Sequence, residues 1–187
     1  MHYRARVGAI TIHRGDITAD EEADAVVNAA NAGLLGGGGV DSAIHGAAGP
    51  SVLEECRALG GCQTGEAKVT RAGRLKAAII VHSVGPVWRG GGHGEEAALE
   101  SCYRRALELA AAHGCRRVAL PAISTGAYGY PLDAAARVTI ASVQRALEDN
   151  PQLDETRLWL FAQDSYDVLA AALAQASADT TAGGRRP

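Results

Sequence analysis

The feature that most constrains this chain is a junction that occurs twice. A short apolar run, Ala25-Val26-Val27-Asn28, leads through Ala29-Ala30-Asn31-Ala32-Gly33-Leu34-Leu35 into four consecutive glycines, Gly36 to Gly39, and then into a helical pattern that starts near Val40. A second apolar run, Arg117-Val118-Ala119-Leu120-Pro121, leads into the polar, glycine-bearing Ser124-Thr125-Gly126-Ala127-Tyr128-Gly129-Tyr130-Pro131 and then into another helix. Ordering four glycines costs more backbone entropy than ordering any other tetrapeptide, so a connector with no further task would seldom use them. Without side chains, their N–H groups are free to approach a bulky anion, and the helix start behind them adds partial positive charge. Two strand–loop–helix junctions of this kind point to an α/β chain whose loops hold phosphate at the carboxyl ends of strands.

The rest of the chain fits that alternation. Val7 to Ile12, Glu66 to Thr70, Ala78 to Val84 and Arg157 to Phe161 read as strands, making six with the two above. The Ala78–Val84 run is nearly continuous and β-branched, as in a strand covered on both faces. Helices are expected over Pro50–Leu59, Glu95–His113, Leu132–Leu147 and Tyr166–Ala174; in the second, Leu99, Cys102, Ala106, Leu109 and Ala110 share one face, and Gly114 stops it. Aromatics are only 4% of residues, so the core must come from Ala, Val, Leu and Ile, which suits a sheet packed closely between helices. A three-layer α/β/α domain over residues 1–176 is expected, with 177–187 as a disordered tail.

Charge and composition narrow the function classes. Eighteen basic and 21 acidic residues give a net charge of −3, which offers no general attraction to nucleic acid or an anionic membrane. No apolar run is long enough to span a bilayer, and the N-terminus shows no signal-peptide pattern, so a cytoplasmic location is expected. Cys56, Cys62, Cys102 and Cys115 show no CxxC spacing and read as free, buried thiols. The glycine loop lacks the Gly-Lys-Ser/Thr of a Walker A motif and the spacing of a dinucleotide fingerprint, which disfavours a P-loop NTPase and a nicotinamide oxidoreductase. The glycines of Trp88-Arg89-Gly90-Gly91-Gly92-His93-Gly94 read as a flexible surface loop rather than a further phosphate site.

Six motifs in register carry a family resemblance. They are Gly15-Asp16-Ile17-Thr18; Val27 to Asn31 with Leu34 to Asp41; Ala43-Ile44-His45 with Ala47 to Pro50; Thr64 to Ala67; Val84-Gly85-Pro86; and Ser124 to Pro131. Together they resemble the macrodomain family in its MacroD-type branch, over roughly residues 7–175. The resemblance implies a mixed, mostly parallel six-stranded sheet between helices. It also implies binding of ADP-ribose and a hydrolase that removes mono-ADP-ribose from Asp and Glu side chains of proteins and deacetylates O-acetyl-ADP-ribose. Those ADP-ribosylated proteins and O-acetyl-ADP-ribose are the partners it implies; a monomer is expected.

Residue by residue, the resemblance places Asp16 on the adenine amino group and the Ile17 amide on a ring nitrogen. A carboxylate, being acceptor-only, suits the former. Capping a turn is the other reading of Asp16. Phe161 would stack on adenine or serve as ordinary core. Asn31 would hydrogen-bond the distal ribose, with Asn28 supporting the loop or the same network; either is also a fair turn former. Backbone amides of Gly38, Gly39 and Val40 would hold one phosphate. Those of Ser124, Thr125, Gly126, Ala127 and Tyr128 would hold the other, with the Tyr128 ring over the ribose. Asp41 would orient or deprotonate a water beside the ribose, although aspartate at a helix start is also a natural cap. His45, one turn later on the same face, would position Asp41 or the substrate, or be structural.

Some enzymes similar to macrodomains bind zinc. This sequence displays no compact Cys/His set, so neither metal nor other cofactor is expected. Two residues depart from the branch pattern: Ser42 stands where glycine is usual, and Gly46 where arginine is usual. They bear on helix rigidity and on preference among substrate proteins. A non-catalytic reader of ADP-ribose, or a hydrolase of another ADP-ribose derivative such as the cyclic phosphate from tRNA splicing, are the competing functions.

Overall fold

The computed structural model describes residues 2–4 and 8–183, with side chains over 8–178. In chain order the strands are β1 (His2–Arg4), β2 (Ala9–Arg14), β3 (Ala25–Ala30), β4 (Ala67–Arg71), β5 (Ile79–Val84), β6 (Arg117–Pro121) and β7 (Glu155–Leu160). The helices are α1 (Val40–Ala48), α2 (Pro50–Leu59), α3 (Glu95–Ala112), α4 (Leu132–Asp149) and α5 (Gln163–Gly183), with a single 3-10 turn at Ile17–Ala19. The strands form one mixed sheet in the order β1-β2-β7-β6-β3-β5-β4. β2, β7, β6, β3 and β5 run parallel, while β1 and β4 pair antiparallel at the two edges. The six strands read from the sequence are thus all present. β1 is an additional edge strand, too short for periodicity to reveal.

Strand alternation sorts the core into two layers. Ala25 and Val27 of β3, Val81 of β5 and Leu120 of β6 point to the side covered by α3, α4 and α5, where Leu99, Tyr103, Leu107, Ile140, Val143 and Leu169 close the larger core. Val26 and Ala30 of β3 and Ile80 and Val84 of β5 point the other way, onto Ile44 and Ala48 of α1 and Val52 and Cys56 of α2. Asn28 and His82 are cross-strand partners on that second face, directly opposite each other in the β3–β5 register.

One expectation needs correction. α5 runs from Gln163 to Gly183, beyond the expected Tyr166–Ala174 at both ends; after Leu173 the alternating alanines Ala174, Ala176 and Ala178 continue the helix, and no proline interrupts it before Gly183. The expected tail over 177–187 is therefore helical to Gly183, and its last four residues lie outside the described part. The glycines at 90–94 lie in an exposed surface loop, as expected, and its backbone is tied to the start of α3. The Glu95 carboxylate, almost fully buried, accepts the N–H groups of Arg89 (3.0 Å), Gly91 (3.2 Å) and His93 (2.6 Å). Burial alone would raise the Glu95 pKa, but these donors and its own N–H outweigh it and hold the pKa at about 2.

Candidate functional site

Four loops meet at the carboxyl ends of adjacent parallel strands. The β2 and β7 ends carry Asp16 and Phe161; the β6 end carries Ser124–Tyr128; the β3 end carries the glycine loop. Since these strands stand in the order β2-β7-β6-β3, the candidate residues lie along one rim about three strand spacings, or about 14 Å, in length.

At the β2/β7 end, Phe161 is 87% exposed, which removes the core-packing reading and leaves a bare ring. Gly15 N–H bonds the Leu160 carbonyl at 3.0 Å, so the chain around Asp16 is tied to the strand end that bears Phe161. Asp16 does cap the Ile17–Ala19 turn, its Oδ1 accepting from Thr18 N–H (2.9 Å) and Thr18 Oγ1 (2.8 Å). Ile17 buries its side chain in the α1/α2 core, which fixes the backbone that would face a ligand. Beneath lies a buried charge network that sequence reading did not single out. Asp20 accepts from Arg157 Nε and from Trp159 Nε1, each at 2.7 Å, and from the N–H groups of Glu22 and Ala23. Burial opposes its ionisation, yet these partners keep the Asp20 pKa below the usual carboxylate value.

The second loop is held in an uncommon conformation. Ser124 has φ +67, a left-handed value that few non-glycine residues adopt, and its buried Oγ has no hydrogen-bond partner among the described residues. A Cβ on Gly85 would collide with Ser124 Oγ and Ile123 Cγ2, so glycine is required there for the loop to sit down. The Trp88 N–H bonds the Tyr128 carbonyl at 2.8 Å, and the Trp88 ring packs on that of buried Tyr130, with centroids 4.6 Å apart. Gly126 and Ala127 are exposed at the tip, while Thr125 and Tyr128 are half-buried.

In the first loop, Asn31 acts as a clip: its Oδ1 accepts from Gly33 N–H at 3.0 Å and its Nδ2 donates to the Gly36 carbonyl at 2.8 Å. Leu34, in a left-handed conformation at φ +59, is fully buried and pins the loop to the core. Gly38 and Gly39 are exposed, and a Cβ on either would meet nothing within 4 Å. Gly39, not Asp41, is the N-cap of α1, and no side chain among the described residues caps that helix start. The capping reading of Asp41 is therefore set aside.

Asp41 is instead buried, 3% exposed, and its two oxygens face different ways. Oδ1 accepts from Asn28 Nδ2 at 2.7 Å and lies 3.4 Å from His45 Nε2, out of hydrogen-bonding geometry. Oδ2 lies toward Gly37, where an added Cβ would be 2.9 Å from it and 3.1 Å from Asn31 Nδ2. Asn31 and Asp41 thus converge on the space that glycine leaves open. Asn28, fully buried, supports Asp41 and is not itself open to a ligand.

The structure adds His82. Its ring is fully buried and sits within hydrogen-bond distance of Asn28 Nδ2 (3.2 Å at Nδ1) and Thr70 Oγ1 (2.9 Å at Nε2). Burial, helped by neighbouring His45, pushes its pKa down to about 4, so the ring is neutral at pH 7. The donor atoms of His45, Cys56 and His82 lie within 4.8 Å of one another. The compact Cys/His set absent from sequence spacing is therefore assembled by folding, although His82 Nε2 is already engaged by Thr70. Of the four cysteines, all free, Cys56, Cys102 and Cys115 are buried and Cys62 is half-buried.

Comparison with known proteins now decides the family. The Macro domain profile matches residues 27–139. The chain belongs to the macrodomain family. A macro domain-containing protein of Chlorobaculum tepidum is 53% identical over 167 residues, covering 88% of this chain and 96% of that one. Among solved structures, the Oceanobacillus iheyensis macrodomain with ADP superposes with a TM-score of 0.91 at 35% identity, covering 96% of this macrodomain and 97% of that chain. The Trypanosoma brucei macrodomain in complex with ADP-ribose gives a TM-score of 0.81 at 41% identity, over 88% and 68% of the two chains. The three-layer fold and mixed sheet implied by the resemblance are those of the family. No helix among the described residues is long and apolar enough to cross a membrane.

Proposed function

We propose that this macrodomain binds ADP-ribose along the rim and hydrolyses its esters, removing mono-ADP-ribose from acidic side chains of proteins and deacetylating O-acetyl-ADP-ribose, in the manner of the MacroD-type branch. The observation that carries the reading is the pairing of Asn31 with Asp41 Oδ2 across Gly37, at one end of a rim whose other end presents a bare aromatic ring beside a carboxylate. That sequence of groups fits an elongated ligand with adenine over β2 and β7, diphosphate between the two loops and distal ribose over β3. The ADP and ADP-ribose complexes of the two structural relatives support the same ligand.

Binding rests on groups the chain holds in place. Phe161 stacks on adenine, Asp16 accepts from its amino group, and the Ile17 amide donates to the ring. The exposed Gly38–Val40 backbone at the uncapped start of α1 faces one phosphate, and the 124–128 amides the other. Asn31 offers donor and acceptor groups to the ribose diol, and the Tyr128 ring covers that ribose. Asp41 Oδ2 orients a water, with assistance from the adjacent phosphate, for attack on the ester carbonyl or the anomeric carbon. Positioning and backbone electrostatics supply most of the acceleration. His45, one turn along α1, borders Asp41 at Oδ1.

The deciding experiment incubates the protein with a carrier mono-ADP-ribosylated on glutamate and measures released ADP-ribose. Wild type is expected to release it, and Asp41→Ala to lose about 100-fold or more of the rate while calorimetry still detects ADP-ribose binding. Binding without release by wild type leaves a reader, not a hydrolase; absence of both overturns the ligand assignment.

A further inference from the structure

On three strands adjacent in the sheet, Thr70 of β4, His82 of β5 and Asn28 of β3 form a hydrogen-bonded line that ends on Asp41 Oδ1. Each joint has a defined direction. Asn28 Nδ2, 2.7 Å from Asp41 Oδ1, must be the amide nitrogen, because the reverse placement would set two acceptor oxygens against each other. The same nitrogen lies 3.2 Å from His82 Nδ1, which must therefore accept. The neutral ring then carries its proton on Nε2, which donates to Thr70 Oγ1 at 2.9 Å, and the Thr70 hydroxyl passes its own hydrogen to the Arg71 carbonyl at 3.0 Å. All three side chains are buried, at 3% exposure or less. One tautomer of His82 and one orientation of Asn28 satisfy every joint of the line; Asn28 Oδ1 is left without a partner among the described residues, and Cys56 Sγ lies 3.6 Å from the same His82 Nε2.

We infer that this line positions Asp41, and that His82 and Asn28 are positioning residues of the hydrolysis. The inference rests on the hydrolase reading above. By occupying Oδ1 from behind, Asn28 fixes the carboxylate rotation that leaves Oδ2 toward Gly37 and the Asn31 amide. His82 in turn fixes which way Asn28 can point, and Thr70 fixes the His82 tautomer. None of the three reaches the loop surface, so their contribution is confined to the chemical step. The line also accounts for a buried histidine that packing alone would have replaced with an aliphatic residue, since its neighbours on that face are Ile80, Val84, Val52 and Ile44.

The test uses the full chain, the glutamate-linked carrier as substrate and ADP-ribose calorimetry in parallel. His82→Leu removes the acceptor for Asn28; kcat is expected to fall about 10- to 100-fold with KM and ADP-ribose Kd within about twofold of wild type. In His82→Asn the side-chain oxygen stands where Nδ1 stood and again accepts from Asn28, so much of the loss should be recovered. A merely structural histidine would show no such preference for asparagine over leucine. The same His82→Leu change made in an Asp41→Ala protein should cost little more than Asp41→Ala alone, because the carboxylate it positions is gone. Should His82→Leu unfold the chain, Thr70→Val, of nearly the same shape, carries the test through a several-fold kcat loss at constant Kd. Equal losses in kcat and affinity, or full multiplicativity with Asp41→Ala, would overturn the positioning role while leaving the hydrolase standing. A wild type that releases nothing overturns both.

Discussion

Gly37 is the residue whose missing side chain the proposed chemistry needs most. Its φ is not in the left-handed region, so alanine is conformationally tolerable there, yet the added Cβ would press on Asp41 Oδ2 and Asn31 Nδ2 together. Gly37→Ala is expected to keep its unfolding free energy within about 1 kcal/mol of wild type and to lose about 10- to 100-fold in turnover. Urea unfolding and the carrier assay check the two halves; full activity would mean that Asn31 and Asp41 do not act across this gap. At this scale the sequence was legible where a motif concentrates its groups in one loop, as for Asn31, Asp41 and Gly36 to Gly39. It was silent on His82, because 54 residues separate it from Asn28 and only the β3–β5 register makes them neighbours. The Asp20–Arg157 pair was hidden for the same reason, lying 137 residues apart.

Among the elements, α1 bears both Asp41 and His45 and is the one whose rigidity the sequence puts in question. It runs unbroken over Val40–Ala48 with Gly46 inside it, and the departure from arginine has not ended the helix. A Cβ on Gly46 would meet nothing within 4 Å. Gly46→Ala should therefore stabilise the protein by about 0.5–1 kcal/mol through the entropy of the unfolded chain and helix propensity. Chemical denaturation at pH 7 measures this, and an unchanged or lower stability would show that α1 needs glycine at this turn. Elements with periodic apolar faces, such as α3 and α4, stood within a residue or two of where the sequence placed them. α5 outran its expected end because alanine continues a helix without marking a face. The 88–94 segment is the surface loop the sequence suggested, but its anchor was not legible, because composition does not distinguish Glu95 from an ordinary first-turn acid.

For the molecule as a whole, the decisive fact is strand order, which places in one line four loops that the chain visits at residues 16, 31–41, 124–128 and 161. No local pattern reveals that order, and the resemblance implied only a mixed, mostly parallel sheet. The same burial that aligns the site makes the fold sensitive to acid. His82 has a folded-state pKa near 4 against an ordinary value of 6.5, chiefly because its ring is buried. Between those values the unfolded chain binds a proton that the folded protein does not, so protonation favours unfolding. Stability from this residue is complete above about pH 6.5 and is lost progressively as pH falls toward 4, for a total of about 3 kcal/mol. Asp20 acts in the same direction at lower pH: its depressed pKa contributes stability that is present above 3.8 and lost as pH falls further. His13, whose pKa is also lowered by burial and by Arg157, adds to the loss below 6.5. Unfolding free energy measured by urea titration from pH 7.5 to 4 should therefore decline with falling pH, and His82→Asn, which cannot titrate, should flatten much of that slope. A wild-type profile that stays level over this range would mean that His82 is not held neutral, and with it would go the tautomer on which the Thr70–His82–Asn28 line depends.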